Sequence, residues 1–167
     1  MQAEETAEKK EEGRISKIEN GTVIDHISSG YALKVLEILG ILSSTSAKVS
    51  FVMNISSLKA KNGKKDIVKF EGRELTKRET DKITVVSPGA TINIIRNYEI
   101  AKKYHVELPN KIIDIIKCPN PNCATNNLKE MGSIKTIFKV MGKAPIIFEC
   151  HYCGAQIDND IINHVKC

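Results

Sequence analysis

The sequence predicts an α+β fold: an antiparallel sheet with two helices packed on one face, followed by a small β-rich unit clipped by cysteines. Three observations carry that expectation. Short β-branched runs alternate with two helical patterns in the order β-α-β-β-α-β-β. Turn signals, Asn20-Gly21, Asn62-Gly63 and Pro88-Gly89, separate those runs. Four of the five cysteines fall in the last third of the chain, grouped as two close pairs.

Residues 1–13 are almost wholly polar and charged and read as a disordered tail. Order is expected from about Arg14, with Ile15 and Ile18 as its first apolar positions. Thr22–Ile27 is β-branched and reads as a strand whose Asp25-His26 pair is polar amid apolar neighbours. In Tyr31–Leu39, Ala32, Val35, Leu36 and Leu39 recur at helical spacing, with Gly40 as the stop. Lys48–Ile55 and Asp66–Glu71 are strands that pair as a hairpin around the polar loop Leu58–Lys65. Thr76 and Glu79 form a capping box, opening a helix that is expected to be short because Lys82–Val86 turns β-branched. Ala90–Arg96 is a strong strand, and Tyr98–Lys103 continues it or pairs with it. This order is that of a ferredoxin-like sandwich. Leu108-Pro109 marks a boundary, giving a tail at 1–13, one domain at 14–107 and a second at 108–167. In the second, Ile112–Lys117, Ile134–Val140 and Ile146–Glu149 are apolar, strand-like runs, the last two placed around Gly142. Ile157–Val165 closes the chain.

Composition narrows the function. The chain has 167 residues and a formal net charge of +5, with 41% hydrophobic and 5% aromatic residues and no Trp. Lys and Glu are interspersed, and stacking platforms are scarce. Both features weigh against a nucleic-acid binder and leave room for a smaller anion. No run of 18 apolar residues exists, so no membrane span is expected. The polar N-terminus lacks the apolar core of a secretory signal, which makes the cytoplasm the expected compartment. There is no Walker loop, no dinucleotide-binding glycine motif and no recognisable nucleophile–base set, so the reading is non-catalytic.

The cysteines carry the strongest local signal. Cys118 and Cys123 form a Cys-x4-Cys hook, and Cys150 and Cys153 form a Cys-x2-Cys hook about 26 residues later. Two hooks complete a tetrahedron of sulfur, the arrangement that holds one structural zinc ion and leaves no open position for substrate. An iron–sulfur site satisfies the same ligand type. His151 and His164 read as ordinary polar residues, and Cys167 as a bystander at the chain end.

Several segments together resemble the regulatory chain of aspartate carbamoyltransferase. They are Gly21–Ile27 (GTVIDHI), Lys65–Lys69 (KDIVK), Ser87–Asn93 (SPGATIN), Asn97–Ile100 (NYEI) and the two cysteine hooks, in order over roughly residues 15–155. The resemblance favours zinc. It implies a non-catalytic subunit of pyrimidine biosynthesis whose first domain binds nucleoside triphosphates (CTP, ATP, UTP) and pairs with a second copy. It also implies that the zinc domain docks on the catalytic chain, through a surface near Pro119–Asn122. Three such homodimers would join two catalytic trimers into a dodecamer of six catalytic and six regulatory chains, with no nucleic acid and no membrane involved.

The same resemblance suggests a nucleotide site. Lys69 and Lys103 face phosphates and ribose, and Lys65 steers or reaches the phosphates. Asp25 accepts from a ribose hydroxyl, His26 lines the pocket and Val23 walls it. Base recognition falls to backbone groups at Ile18, Tyr98 and Ile100, with Asn93 and Ile95 nearby. The chain departs from the family pattern at Ser16-Lys17 and at Tyr104-His105, where a second basic residue is often found. The rival reading is a zinc-ribbon nucleic-acid-binding protein.

Overall fold

The computed structural model describes residues 16–42, 46–127, 134–143, 145–158 and 160–166. The expected tail at 1–13, together with Ile15 and Cys167, lies outside them. The chain divides between Glu107 and Leu108 into two compact units.

The first unit is a five-stranded, wholly antiparallel sheet in the order β2-β3-β1-β4-β5. Its strands are β1 (Gly21–Ser28), β2 (Val49–Ser56), β3 (Lys64–Glu71), β4 (Thr91–Arg96) and β5 (Glu99–His105). Helix α1 (Ala32–Ile38) connects β1 to β2, and helix α2 (Lys77–Val86) connects β3 to β4. Alternation separates the two faces of the sheet. Ile24 stands opposite Val68 on one side and Ile92 on the other, and all three are fully buried. With Phe70 they join Val35 and Leu36 of α1 and Ile83 and Val86 of α2 in the core. Each such side chain contributes roughly 1.5–3 kcal/mol on burial.

Helix α1 ends as its sequence suggests. Gly40 takes φ +70, and the Ile41 N–H returns to the Leu36 carbonyl at 3.0 Å, closing a Schellman-type turn. Its start was not legible. Tyr31 offers no side-chain cap; instead the Ala32 N–H donates to Asp66 Oδ2 of β3 at 2.9 Å.

The capping box of α2 forms. The Glu79 N–H donates to Thr76 Oγ1 at 3.3 Å, and the Thr76 N–H to Glu79 Oε2 at 2.8 Å. The expectation of a short helix is corrected, because α2 runs through Lys82–Val86. Ile83, Val85 and Val86 are buried, and tertiary packing outweighs their weak helix propensity. Thr80 and Thr84 satisfy their hydroxyls on the carbonyls four residues back. The Lys82 ammonium donates to the Ile38 carbonyl at 3.0 Å, tying α2 to the end of α1.

Asn20-Gly21 does more than turn the chain. Gly21 begins β1 at φ +140, and a Cβ there would lie 1.9 Å from the Phe70 carbonyl oxygen. Only glycine permits that approach between β1 and β3.

The second unit is a four-stranded antiparallel sheet in the order β6-β7-β8-β9. Its strands are β6 (Lys111–Ile113), β7 (Ile137–Lys143), β8 (Ile146–Cys150) and β9 (Gln156–Ile157), followed by the one-turn helix α3 (Ile161–His164). Ile112, Ile116, Phe138, Phe148 and Ile157 are buried. Two expectations shift here. Only the first part of Ile112–Lys117 is strand, with Ile116 bridging to Val165. Gly142 lies inside β7 at a bulge rather than in the turn after it.

Candidate functional site

The sheet face opposite the helices carries most of the nucleotide-site candidates. Ser50, Lys69, Val23, Asn93 and Lys103 are successive partners across all five strands and form one continuous row. Directly paired residues share a face, so Lys69 and Lys103 flank Val23 and Asn93. Asn93 is 7% exposed, and its Oδ1 is buried without a hydrogen-bond partner among the described residues. An acceptor left in that state is costly unless a donor reaches it.

One step along the strands lie Asp25, Thr91 and His105, again paired in a row. The Thr91 hydroxyl and His105 Nδ1 are 3.0 Å apart. Here β1 bulges. His26 takes φ +56, and its N–H donates to Asp25 Oδ1 at 2.6 Å. His26 Nδ1 also lies 3.2 Å from Asp25 Oδ2. Lys65 reaches the same carboxylate at 3.1 Å and is almost wholly buried there. The expected phosphate-seeking lysine is therefore an ion-pair partner of Asp25.

A matching bulge occurs in β2, where Asn54 takes φ +60. The two bulges flank β3 at Asp66 and Ile67. Asp66 is fully buried and accepts from the Asn54 N–H at 2.8 Å as well as from Ala32. One carboxylate thus holds a helix start and an edge-strand bulge.

Beyond the bulge the open face ends in a cavity of about 870 Å³. His26, Lys103 and His105 form part of its wall, and Lys59, Lys61 and Lys64 of the β2–β3 connection form another. No carboxylate residue lines it. Sequence reasoning placed His26 and Lys103 here, noted His105 only as a departure, and missed the loop lysines. Their spacing within Lys59–Lys64 was visible, but it read as a polar loop.

The other end of the face is apolar. Gly21, Ile95 and Ile100 lie in one row, and Ile18 and Ile95 are buried. Asn97 and Tyr98 join β4 to β5 with φ +52 and +65, the pattern of a two-residue type I′ hairpin. The Tyr98 side chain is 60% exposed, which rules out a core role. The segment before β1 crosses this region. The Tyr98 N–H donates to the Glu19 carbonyl at 2.9 Å, and the Lys69 ammonium to the Ser16 carbonyl at 3.2 Å.

The second unit brings together Cys118, Cys123, Cys150 and Cys153. Their sulfurs lie within 4.8 Å of one another, with Cys118–Cys153 at 3.6 Å and Cys123–Cys150 at 3.9 Å. Four thiolates about 2.3 Å from a central tetrahedral ion sit about 3.8 Å apart, so the donor set fits a metal. The first hook is braced by Asn126, whose amide donates to the carbonyls of Cys118 at 2.9 Å and Asn120 at 2.7 Å. The Cys123 N–H returns to the Asn120 carbonyl and the Gly154 N–H to the Cys150 carbonyl, closing a turn at each hook. Burial pushes the Cys118 and Cys150 thiols up. The Ala155 backbone N–H brings Cys153 down to about 7. A bound cation reverses the burial cost, since a coordinating thiol is deprotonated outright. Neither His151 nor His164 belongs to the cluster.

Comparison with known proteins agrees with both halves. Residues 13–107 match the family model "Aspartate carbamoyltransferase regulatory chain, allosteric domain", and residues 110–163 match "Aspartate carbamoyltransferase regulatory chain, metal binding domain". The chain belongs to the family of aspartate carbamoyltransferase regulatory chains. It is 48% identical over 158 residues to the regulatory chain of Korarchaeum cryptofilum, covering 94% of this chain and 98% of that one. It is 51% identical over 140 residues to that of Pyrobaculum arsenaticum, covering 84% and 90%. To that of Saccharolobus solfataricus it is 46% identical over 161 residues, covering 96% and 98%. The chain is thus a regulatory, non-catalytic one with an allosteric and a metal-binding domain. Among the described residues no helix is long and apolar enough to cross a membrane.

Proposed function

We propose that this chain binds nucleoside triphosphates on the open face of its first unit and thereby modulates the catalytic chain of aspartate carbamoyltransferase. The observation that carries this reading is the polarity gradient along that face. A cavity with four lysines and two histidines stands at one end, and Ile18, Ile95, Ile100 and Tyr98 stand at the other. The His26-to-Gly21 stretch of β1 spans about 16 Å at 3.3 Å per residue, which suits an extended nucleotide. The triphosphate lies against Lys103, His26 and the loop lysines. The ribose lies over Val23 with Asp25 and Asn93 as acceptors, and Lys69 reaches it from β3. Backbone groups near Ile18, Tyr98 and Ile100 meet the base.

In this reading residues 14–107 are the effector domain and 108–167 the docking domain. Cys118, Cys123, Cys150 and Cys153 hold one zinc ion. The ion supplies a cross-link and no reaction, leaving the turn Pro119–Asn122 fixed for contact with the catalytic chain. Two copies of the chain pair, and three such dimers bridge two catalytic trimers in the cytoplasm. Nucleotide binding shifts a two-state equilibrium of that assembly, with coupling typically worth about 1–3 kcal/mol.

The test is equilibrium binding of ATP, CTP and UTP to the full chain, beside a single-stranded oligonucleotide titrated at rising salt. Saturable mononucleotide binding that weakens when Lys103 becomes Ala supports the reading. Absence of mononucleotide binding, with steeply salt-dependent oligonucleotide binding, overturns it in favour of a nucleic-acid partner.

A further inference from the structure

The cavity at the His26 end of the open face is unusual in its charge. Lys59, Lys61, Lys64 and Lys103 line it with His26 and His105, and no carboxylate does. The acid adjoining His26 is Asp25, and Lys65 already engages it at 3.1 Å. Magnesium bound to a polyphosphate completes its octahedron with water and carboxylate oxygens. These walls offer it no anionic oxygen, and their ammonium groups repel a divalent cation. Where proteins handle magnesium-complexed triphosphates, the metal neutralises charge on the phosphate oxygens. In this cavity the lysines stand ready to do that neutralising themselves.

We propose that the effector binds here as the metal-free polyphosphate anion, with Lys59 and Lys61 of the β2–β3 connection taking the charge-neutralising role of a divalent cation. Magnesium then acts as a competitor, because it cancels two negative charges on the triphosphate before that anion reaches the lysines. Regulation consequently responds to uncomplexed nucleotide rather than to total nucleotide. The inference rests on the nucleotide reading above and adds the ionic form of the ligand to it.

Isothermal titration of the full chain with ATP and with CTP tests it. The titrations run in magnesium-free buffer and in excess magnesium chloride, with ionic strength held constant by potassium chloride. No chelator is added, so the cysteine site is undisturbed. The Kd is expected to rise about tenfold with magnesium, the scale of two lost partly screened charge contacts. A Lys59→Gln, Lys61→Gln double variant alters only exposed loop side chains. It is expected to bind metal-free nucleotide about tenfold more weakly and to respond less to magnesium. Equal or tighter binding with magnesium, or a double variant with wild-type behaviour, overturns the inference while the nucleotide reading stands. Absence of binding in both buffers overturns both.

Discussion

The ammonium group of Lys65 lies 3.1 Å from the carboxylate of Asp25, joining β3 to β1 on the open face, and Lys65 is 2% exposed. Such a pair is costly to break from one side, because the remaining charge stays in a low-dielectric site. Lys65→Met is therefore expected to lower the unfolding free energy by about 2–4 kcal/mol, less than for a wholly buried pair because Asp25 keeps some solvent contact. Urea denaturation measures it. Asp25→Asn added to Lys65→Met is expected to recover part of the loss; no recovery would mean that the two residues act separately.

Asp66 holds two backbone groups with one carboxylate. Asp66→Asn keeps the volume but leaves a single acceptor oxygen for the N–H groups of Ala32 and Asn54. The expected cost is about 1–3 kcal/mol for the orphaned donor. Amide hydrogen exchange localises it, since one or both of those N–H groups should exchange faster while Ile24 and Ile92 in the central strands stay protected.

Glycine positions separate sterics from backbone preference. Gly21→Ala drives a Cβ into the Phe70 carbonyl at a left-handed φ, whereas Gly63 at φ +70 faces open space. Gly21→Ala is expected to cost more than about 3 kcal/mol and Gly63→Ala about 1 kcal/mol. Equal midpoints in thermal melts of the two variants would contradict the β1–β3 contact.

Removing metal should act on the second unit alone. Its four-stranded sheet is small, and Cys118, Cys123 and Cys150 are buried within it. A chelator is expected to unfold residues 108–166 while the first unit keeps its protected amides. Acid should do the same. Each ligand must be a thiolate, and burial raises the proton affinity of Cys118 and Cys150. Protons therefore displace metal, and apparent metal affinity falls as pH falls. Competition with a chromophoric chelator between pH 6 and 8 checks that sign.

Legibility in the sequence followed the range of the interactions. Strand identity, the Thr76 capping box and the cysteine hooks depend on residues close in sequence, and each was readable. The full length of α2 was not, because burial of Ile83, Val85 and Val86 by distant residues decides it. The paired bulges at His26 and Asn54 escaped notice for the same reason, since Asp66 stabilises them from a third strand. The lysine wall of the cavity needs Lys59–Lys64 to meet Lys103 and His105 of β5. Only the sheet topology brings those segments together.

The central claim is regulation of a catalytic chain by nucleotides bound to the first unit. It is tested most directly by assembling the metal-loaded chain with a catalytic chain of aspartate carbamoyltransferase and recording aspartate saturation with and without ATP, CTP or UTP. The account predicts a saturation curve that moves with at least one of them, by a factor of about 5–150 in apparent affinity at most. It further predicts that the shift disappears in a Lys103→Ala assembly. A curve indifferent to all three nucleotides, in an assembly that forms normally, would contradict it.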